Sequence, residues 1–299
     1  MAFRRGCMPN NLAPQRQAGI SWRRRLKDHL ATFLAIVALL LVLLPLAAIF
    51  IYLVQRGLGS ISWTFLTQTP KPVGVPGGGM ANAILGTGVI LGIASAIGVP
   101  LGIGAGVFLS EYGRNRFGDA IRFTADVLNG VPSIVIGMVA YSLVVVKQKH
   151  FSALAGGVAL GIMMVPTITR ATEEMLLLVP RSVREAALGL GISRWRTTVS
   201  ITLRTAAAGI ITGIMLAFAR VAGETAPLLF TAFGSQFWSA NINQPIAALP
   251  LQIFVYAISP YDEWHRQAWA GALVLIVLIV GTIAVVRLIA SRGLMKGTA

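Results

Sequence analysis

The sequence has few charged residues. Asp, Glu, Lys and Arg make up only 12% of its 299 residues, against about 25% in a typical soluble domain. Hydrophobic residues make up 56%, and the mean hydropathy is +0.76. This composition argues against a soluble globular protein and excludes intrinsic disorder, which requires low hydrophobicity. An integral membrane protein remains, with room for several spans of about 20 apolar residues each.

Several chemical motifs are also missing. The single cysteine, Cys7, allows no disulfide within the chain. No lysine is followed by Ser or Thr, so the chain has no phosphate-binding loop of the G-x-x-x-x-G-K-[ST] type. The three histidines are scattered in polar segments, and no Gly-x-Ser-x-Gly nucleophile motif occurs. We therefore expect no metal, no cofactor and no catalytic residue in this chain.

Six long apolar stretches predict an all-α integral membrane protein with six transmembrane helices. The stretches are continuous rather than alternating, which disfavours a transmembrane barrel. The first is too long for the apolar region of a signal peptide, so we expect an uncleaved span. The six stretches cover residues 30–54, 81–110, 127–146, 153–175, 206–230 and 267–287.

The basic residues lie mainly on one side of this predicted topology. Eighteen Lys and Arg fall in the N-terminal arm, in segments 111–126 and 176–204 and at the C-terminal end, against five in the intervening loops. By the positive-inside rule both termini are expected in the cytoplasm, as an even number of spans requires. The net charge of +15 thus reflects membrane topology rather than nucleic-acid binding.

Small residues are dense in the predicted spans. They let helices approach closely, and such packing drives helix association in lipid. We therefore predict close helix–helix contacts at the G-x-x-x-G spacings Gly88/Gly92, Gly98/Gly102, Gly102/Gly106, Gly157/Gly161 and Gly209/Gly213. Three prolines within or near spans are predicted to kink them: Pro100, Pro132 and Pro166.

The interval 176–204 is too polar to span the membrane and too long for a simple turn. Its first half is a helix-forming run, after which Gly189 and Gly191 permit a sharp turn and Ser193 is suited to cap a second helix. We predict two short helices that meet at a glycine elbow. A helix pair that projects from the membrane is suited to dock into a groove of another protein.

This interval resembles the EAA loop of the permease subunits of type I ABC importers. That motif reads E-A-A, three residues, G, nine residues, and I-x-L-P. Here the matching residues are Glu185, Ala186, Ala187, Gly191, Ile201 and Leu203, whereas Arg204 replaces the final proline. The segments 128–135, 166–174 and 219–229 further resemble the permeases of bacterial phosphate importers, the PstA-type more than the PstC-type subunit. The similarity covers about residues 80–290.

The resemblance implies a MetI-like permease fold. The chain would comprise a basic cytoplasmic arm (1–29), a first helix (30–54), a periplasmic loop (55–80), a permease core (81–290) and a cytoplasmic tail (291–299). It also implies a bacterial inner-membrane location and partners: a second, PstC-type permease, two PstB-type ATP-binding subunits and a periplasmic PstS-type phosphate-binding protein. The aromatic loop 231–266 would then be an interfacial belt or the surface that receives the binding protein.

Charged residues inside the apolar stretches indicate an anion pathway independently. Arg220 and Glu224 fall within one predicted span, four residues apart, so that they share a helix face. An arginine suits phosphate because its guanidinium donates two parallel hydrogen bonds. Arg170 and Glu174 repeat this spacing, with Glu173 beside them. We predict all five as pathway residues; structural ion pairs, or helix anchors in the case of the second group, are the alternative.

Other functions remain open. The same architecture could serve another oxyanion, such as sulfate, molybdate or phosphonate, because specificity also depends on the binding protein. An ATP-independent secondary transporter or channel would show inverted repeats or broken spans, and no convincing repeat is present. A membrane-embedded enzyme would need a nucleophile or metal site, which the sequence does not offer.

Overall fold

The computed structural model describes residues 22–75 and 77–295 of the chain. Within those residues the chain forms helices, turns and loops, and its β-type pairing there is limited to an isolated bridge between Phe233 and Ile246. The predicted basic arm is described only from residue 22, and the predicted tail only to residue 295. The prediction of an all-α protein is confirmed.

The helices of the described residues include both long spans and short connecting elements. Two of the long helices contain a π-helical turn, at Tyr141–Val145 and Thr198–Thr202. In chain order the helices are α1 (Trp22–Leu58), α2 (Trp63–Thr67), α3 (Ala81–Glu111), α4 (Arg116–Gly130), α5 (Ser133–Gln148), α6 (Ala153–Leu177), α7 (Arg181–Gly189), α8 (Arg194–Ala222), α9 (Ala226–Leu229), α10 (Leu249–Ala257) and α11 (Asp262–Met295).

The contacts divide the chain into two units at Tyr52. The described part of the first unit is the beginning of α1, and nearly all of its described side chains are exposed. A helix with apolar residues on every side is typical of a membrane span. The second unit, from Leu53 onward, contains the other helices and the packed core.

Among the residues that the structure describes, five helices are long and apolar enough to cross a membrane. They are Leu26–Leu58, Ala81–Glu111, Ala153–Leu177, Arg194–Ala222 and Asp262–Ala290. A sixth span is obtained when α4 and α5 are taken together, although they meet at an angle of 107°. The predicted third span, 127–146, is therefore not one straight helix. The cause is Pro132, which follows Val131 and interrupts the helix between α4 and α5.

Parallel packing of α3 against α6 forms the centre of the second unit. A Cβ atom added to Gly98 would lie 2.7 Å from Cβ of Met164, and one added to Gly102 would lie 2.6 Å from Cβ of Ile168. Gly106 continues this contact one turn further along α3. The two backbones approach closely only because these three positions lack a side chain, as the spacing predicted.

Two more of the predicted glycine pairs make close contacts. Gly157 and Gly161 meet side chains of α3, and Gly209 and Gly213 of α8 meet Met175 and Ala171 of α6. A Cβ atom at Gly88 or Gly92 would have no atom of the described chain within 4 Å, so this pair makes no close contact within it, and a contact with a second membrane subunit stays a prediction. As the residue number rises along α8, the number of the contacted residue falls along α6, so the two helices are antiparallel.

The fifth and sixth predicted spans have other limits in the structure. The fifth, predicted as 206–230, begins at Arg194 and ends at Ala222. The sixth, predicted as 267–287, begins at Asp262. In the fifth, Gly223 ends the helix, and Pro227 could not continue it because its ring would clash with the carbonyl of Gly223.

Candidate functional site

A buried carboxylate joins α4 to α6. Glu173 of α6 has only 3% of its side chain exposed. Its Oε1 accepts a hydrogen bond of 2.6 Å from Nε of Arg122, and its Oε2 accepts one of 2.9 Å from Nη1 of Arg170. Both carboxylate oxygens are thus paired with a guanidinium, which is the arrangement that a buried charge requires.

Each of these two arginines also pairs with a second carboxylate. Nε of Arg170 lies 3.0 Å from Oδ1 of Asp126, and Nη1 of Arg122 lies 2.9 Å from Oδ1 of Asp119. One turn along, the hydroxyl of Thr167 donates to Oδ1 of Asn129 at 3.0 Å. We call these seven residues the α4–α6 seam: Asp119, Arg122, Asp126, Asn129, Thr167, Arg170 and Glu173. It holds three carboxylates against two guanidiniums.

Glu174 does not belong to this seam. It is exposed, and no ion pair links it to another residue of the described chain. The four-residue spacing of Arg170 and Glu174 permits an ion pair, but Arg170 pairs with Glu173 instead. Neighbouring positions of a helix lie about 100° apart around its axis, so only Glu173 points into the contact with α4.

Arg220 and Glu224 are separated by the end of a helix. Arg220 lies in the last turn of α8, whereas Glu224 follows Gly223 in the turn before α9. Their expected placement on one face of one helix is therefore wrong. Arg220 is exposed and Glu224 partly exposed, and the described residues provide neither side chain with an ion-pair partner.

The depth of Arg220 follows from the antiparallel contact of α8 with α6. Gly209 lies opposite Met175 and Gly213 opposite Ala171, so continuation of this register brings Arg220 level with Met164. The middle residue of α6, which is 25 residues long, is Val165. At about 1.5 Å per residue, Arg220 lies within about 2 Å of the midpoint of α6 along the helix axis. A charge at that depth is costly in lipid and marks a polar cavity or a covered face.

The predicted glycine elbow is present. We use this name for α7, the connecting residues 190–193 and the first turn of α8. Gly191 has φ +76°, a conformation that other residues rarely adopt. The second short helix is not separate, because α8 continues from Arg194 to Ala222. Ser193 stands before α8, but its side chain makes no capping hydrogen bond.

Arg184 of the elbow contacts the ends of two spans. Nη2 of Arg184 donates to the backbone oxygen of Leu176 at 2.7 Å, near the end of α6. The same nitrogen lies 3.2 Å from Oε1 of Glu111, the last residue of α3. Arg184 therefore connects α7 to the ends of α3 and α6.

The EAA-type residues divide into inward-facing and outward-facing positions. Ala187 is buried, whereas Glu185, Ala186 and Gly191 are exposed. Ile201 and Leu203 lie on α8, beyond the elbow, and Leu203 packs against the apolar cluster formed by Leu176, Val179, Ala206 and Ile210. These last two motif positions therefore belong to the base of a span, not to the protruding surface.

The protruding surface carries large apolar side chains. Leu190 is 81% exposed and Trp195 is 61% exposed, and Leu188 is exposed beside them. The guanidinium of Arg196 lies 5.4 Å from the ring centre of Trp195. An exposed apolar patch with a basic rim is typical of a surface that another protein covers.

A comparison with known families identifies the class of protein. Residues 98–294 match the family model described as "Binding-protein-dependent transport system inner membrane component". The chain belongs to this family. The permease is 46% identical to the phosphate transport system permease protein PstA of Yersinia pestis over 265 residues, which is 88% of this chain and 90% of the relative. The PstA-type resemblance seen in the sequence is thereby confirmed.

More distant relatives carry the same name. PstA of Haemophilus influenzae is 44% identical over 86% of the permease and 91% of its own length. A probable phosphate transport system permease protein PstA of Methanocaldococcus jannaschii is 35% identical over 88% and 94%. Together with the apolar helices, these relatives show that the chain is a multi-pass inner-membrane permease.

A solved structure shares the fold. An inward-facing conformation of the MetNI methionine ABC transporter contains a chain that matches with a TM-score of 0.54 and 17% identity, over 73% of the permease and 96% of that chain. The predicted MetI-like fold is confirmed by this match and by the family model.

The sequence interpretation missed the α4 half of the seam. In the sequence, segment 111–126 contributes only basic residues that indicate topology, so Asp119, Arg122 and Asp126 are not among the predicted site residues. Their spacing of three and four residues was the available signal, since it places all three on one face of a helix.

Proposed function

We propose that this permease forms part of the pathway by which an ATP-driven importer carries inorganic phosphate across the inner membrane. The observation that carries the proposal is Arg220. By the register with α6 it stands level with the middle of that helix and is exposed, and the described residues contain no acidic partner for it. The substrate class follows from relatives that are named phosphate transport permeases.

The chemistry of this position suits a phosphate ion. A guanidinium donates two parallel hydrogen bonds to two oxygens of a tetrahedral anion. Glu224, just beyond the same helix, offers a carboxylate that accepts a hydrogen bond from the proton of monohydrogen phosphate, a proton that sulfate lacks. One arginine opposed by one carboxylate holds the anion weakly, as conduction requires.

Arg170 and Glu173 contribute to the wall of this pathway rather than to the contact with phosphate. Nε and Nη1 of Arg170 are already bound by Asp126 and Glu173, and the seam carries one more acidic than basic group. An anion would therefore meet repulsion along the seam. We retain exposed Glu174 as a residue near the mouth of the pathway.

Energy reaches the permease through the elbow. The exposed apolar side chains Leu188, Leu190 and Trp195 dock on an ATP-binding subunit, of which the importer holds two copies of the PstB type. Arg184 then carries the movement to the ends of α3 and α6, and the pathway opens to alternate sides. The permease itself hydrolyses no ATP in this scheme.

The orientation follows the distribution of basic residues. The elbow and both termini face the cytoplasm, since most Lys and Arg of the sequence lie on that side. The loop that contains the exposed Phe237 and Trp238 then faces the periplasm, where a PstS-type binding protein delivers phosphate. A PstC-type permease completes the pathway and covers Arg220.

Phosphate uptake tests this proposal. Cells that lack the permease regain it together with its partner subunits, and labelled phosphate uptake is measured with sulfate as competitor. We expect uptake to depend on the chain, to resist sulfate and to fall at least about tenfold in Arg220→Gln, which loses a charged hydrogen-bond donor.

Arg287→Gln is the matched control. It removes the same charge from an exposed position near the end of α11, and uptake should remain as in the wild type. If the restored chain supports uptake of sulfate or another oxyanion but not of phosphate, the substrate assignment is wrong. If Arg220→Gln transports phosphate normally at equal membrane abundance, Arg220 does not carry the pathway.

A further inference from the structure

The α4–α6 seam consists of three successive contacts along two antiparallel helices. Arg122 pairs with Glu173, and Asp126 pairs with Arg170 at 3.0 Å. At the third level, Thr167 donates a hydrogen bond to Asn129 at 3.0 Å. Each step is three or four residues on both helices, or about one helical turn.

The order of charges allows only this register. If α4 moved by one turn along α6 in one direction, Asp126 would meet Glu173 and Arg122 would move beyond it. A shift by one turn in the other direction would bring Arg122 to Arg170 and Asp119 to Glu173. Both shifts place like charges in contact, and the strength of such contacts increases with burial.

The central carboxylate makes a shift still more costly. Glu173 is almost fully buried, and a shift would remove Arg122 from it and leave only Arg170 of its own helix as a partner. Arg122 also donates to the backbone oxygens of Leu109 and Gly113, at the end of α3. The same group of side chains therefore holds α3, α4 and α6 together.

We propose that the seam locks α3, α4 and α6 into one body that moves as a unit when the elbow moves, with Arg122 and Glu173 as its positioning residues. The elbow is attached to this body through Arg184, which contacts the ends of α3 and α6. Rearrangement during transport then occurs between this body and other helices, not within it. The proposal rests on the ATP-driven transport proposed above.

Cross-linking across the third level of the seam tests this rigidity. In a Cys7→Ser background, Asn129→Cys and Thr167→Cys place two thiols where a hydrogen bond now joins the helices. The complete complex is treated with a short bifunctional thiol reagent, once without nucleotide and once trapped with ATP and vanadate. We expect equal yields in both states, and we expect the cross-linked complex to keep the uptake of the same double variant without reagent. A yield that collapses in one state, or uptake that the cross-link abolishes, would overturn the proposal.

The contribution of the charges is tested with a neighbouring pair of variants. Added to the cysteine pair, Glu173→Ala should lower the cross-linking yield at least about threefold, because the partly buried guanidiniums of Arg122 and Arg170 lose their shared acceptor. Glu174→Ala, one residue further on the same helix but exposed, should leave the yield unchanged. Equal yields in the two variants would show that the charges do not set the register.

The cross-linking experiment includes a criterion for protein quality and a substitute variant. Yields are measured only on protein that remains monodisperse after extraction, and Glu173→Gln, which keeps the shape of the side chain, replaces Glu173→Ala if the latter does not fold. If the unmodified complex transports no phosphate, the proposed function fails. The cross-linking yields of the two nucleotide states still decide whether the helices move together.

Discussion

Arg184 stands between Glu111 and the carbonyl of Leu176, at 3.2 Å and 2.7 Å. It is the point where α7 of the elbow meets the last residue of α3 and the end of α6. The side chains of Arg184 and Glu111 are both largely buried, and both lie outside the EAA-type motif. The side chain that joins the elbow to the ends of α3 and α6 is therefore not one of the motif residues.

Replacement of Arg184 should uncouple the elbow from the spans. We expect Arg184→Ala to lower phosphate uptake per ATP hydrolysed by about fivefold or more, the lower range of typical coupling energies. Uptake and ATP hydrolysis are measured on the same reconstituted complex. Arg204→Ala, an exposed position on α8, serves as control and should keep the wild-type ratio. A wild-type ratio in Arg184→Ala would contradict a transmitting role.

The turn of the elbow should depend on the backbone conformation of Gly191. An added Cβ atom has free space both at Gly191 and at Gly189, but only Gly191 has a positive φ. Gly191→Ala should therefore destabilise the elbow by about 1–2 kcal/mol, whereas Gly189→Ala, at the end of α7, should be neutral or slightly stabilising. Protection of the elbow amides in hydrogen exchange measures the difference. Equal protection in the two variants would argue against the strained turn.

Because α3 packs closely on α6, an added methyl group should lower the free energy of unfolding at some glycines of α3 and not at others. A Cβ atom at Gly102 would lie 2.6 Å from Cβ of Ile168, whereas one at Gly104 meets nothing within 4 Å. We expect Gly102→Ala to cost about 1–3 kcal/mol through overpacking, and Gly104→Ala to leave stability unchanged. Thermal unfolding in detergent distinguishes them. Similar melting temperatures for both variants would mean that α3 and α6 are less closely packed than described.

Neutralisation of Glu224 should reduce discrimination between oxyanions. Glu224→Gln replaces the carboxylate, which can only accept hydrogen bonds, by an amide of the same size that can also donate one to sulfate. We expect sulfate to compete with phosphate uptake about tenfold more effectively, since a buried hydrogen-bonding match contributes on the order of 1–3 kcal/mol. Unchanged competition, at unchanged membrane abundance, would remove Glu224 from the selective site.

The elements that the sequence predicted well are those with long, uniform signals. Six apolar stretches gave the all-α architecture, and the spacing from Glu185 to Gly191 located the elbow. Glycine spacing located the α3–α6 contact at Gly98 and Gly102. Each of these signals depends on a local periodicity or a backbone requirement, which a single sequence displays directly.

The pairing of charges could not be predicted in the same way. Arg170 has acidic residues at both 173 and 174, and spacing rules permit either pair. The choice depends on where α4 lies, because only Glu173 faces Arg122. The end of α8 was misjudged because apolar residues continue beyond Gly223, although Gly223 and Pro227 together were a signal for a helix end.

The bend at Pro132 gives the molecule unequal hydrophobic thickness. α5, at 16 residues, is about 24 Å long, whereas α11, at 34 residues, is about 51 Å long. A hydrocarbon layer is about 30 Å thick, so α5 is too short to cross it and α11 is more than long enough. The lipid or protein beside α5 must therefore accommodate a short helix, whereas α11 has length to tilt within the bilayer or to extend beyond it.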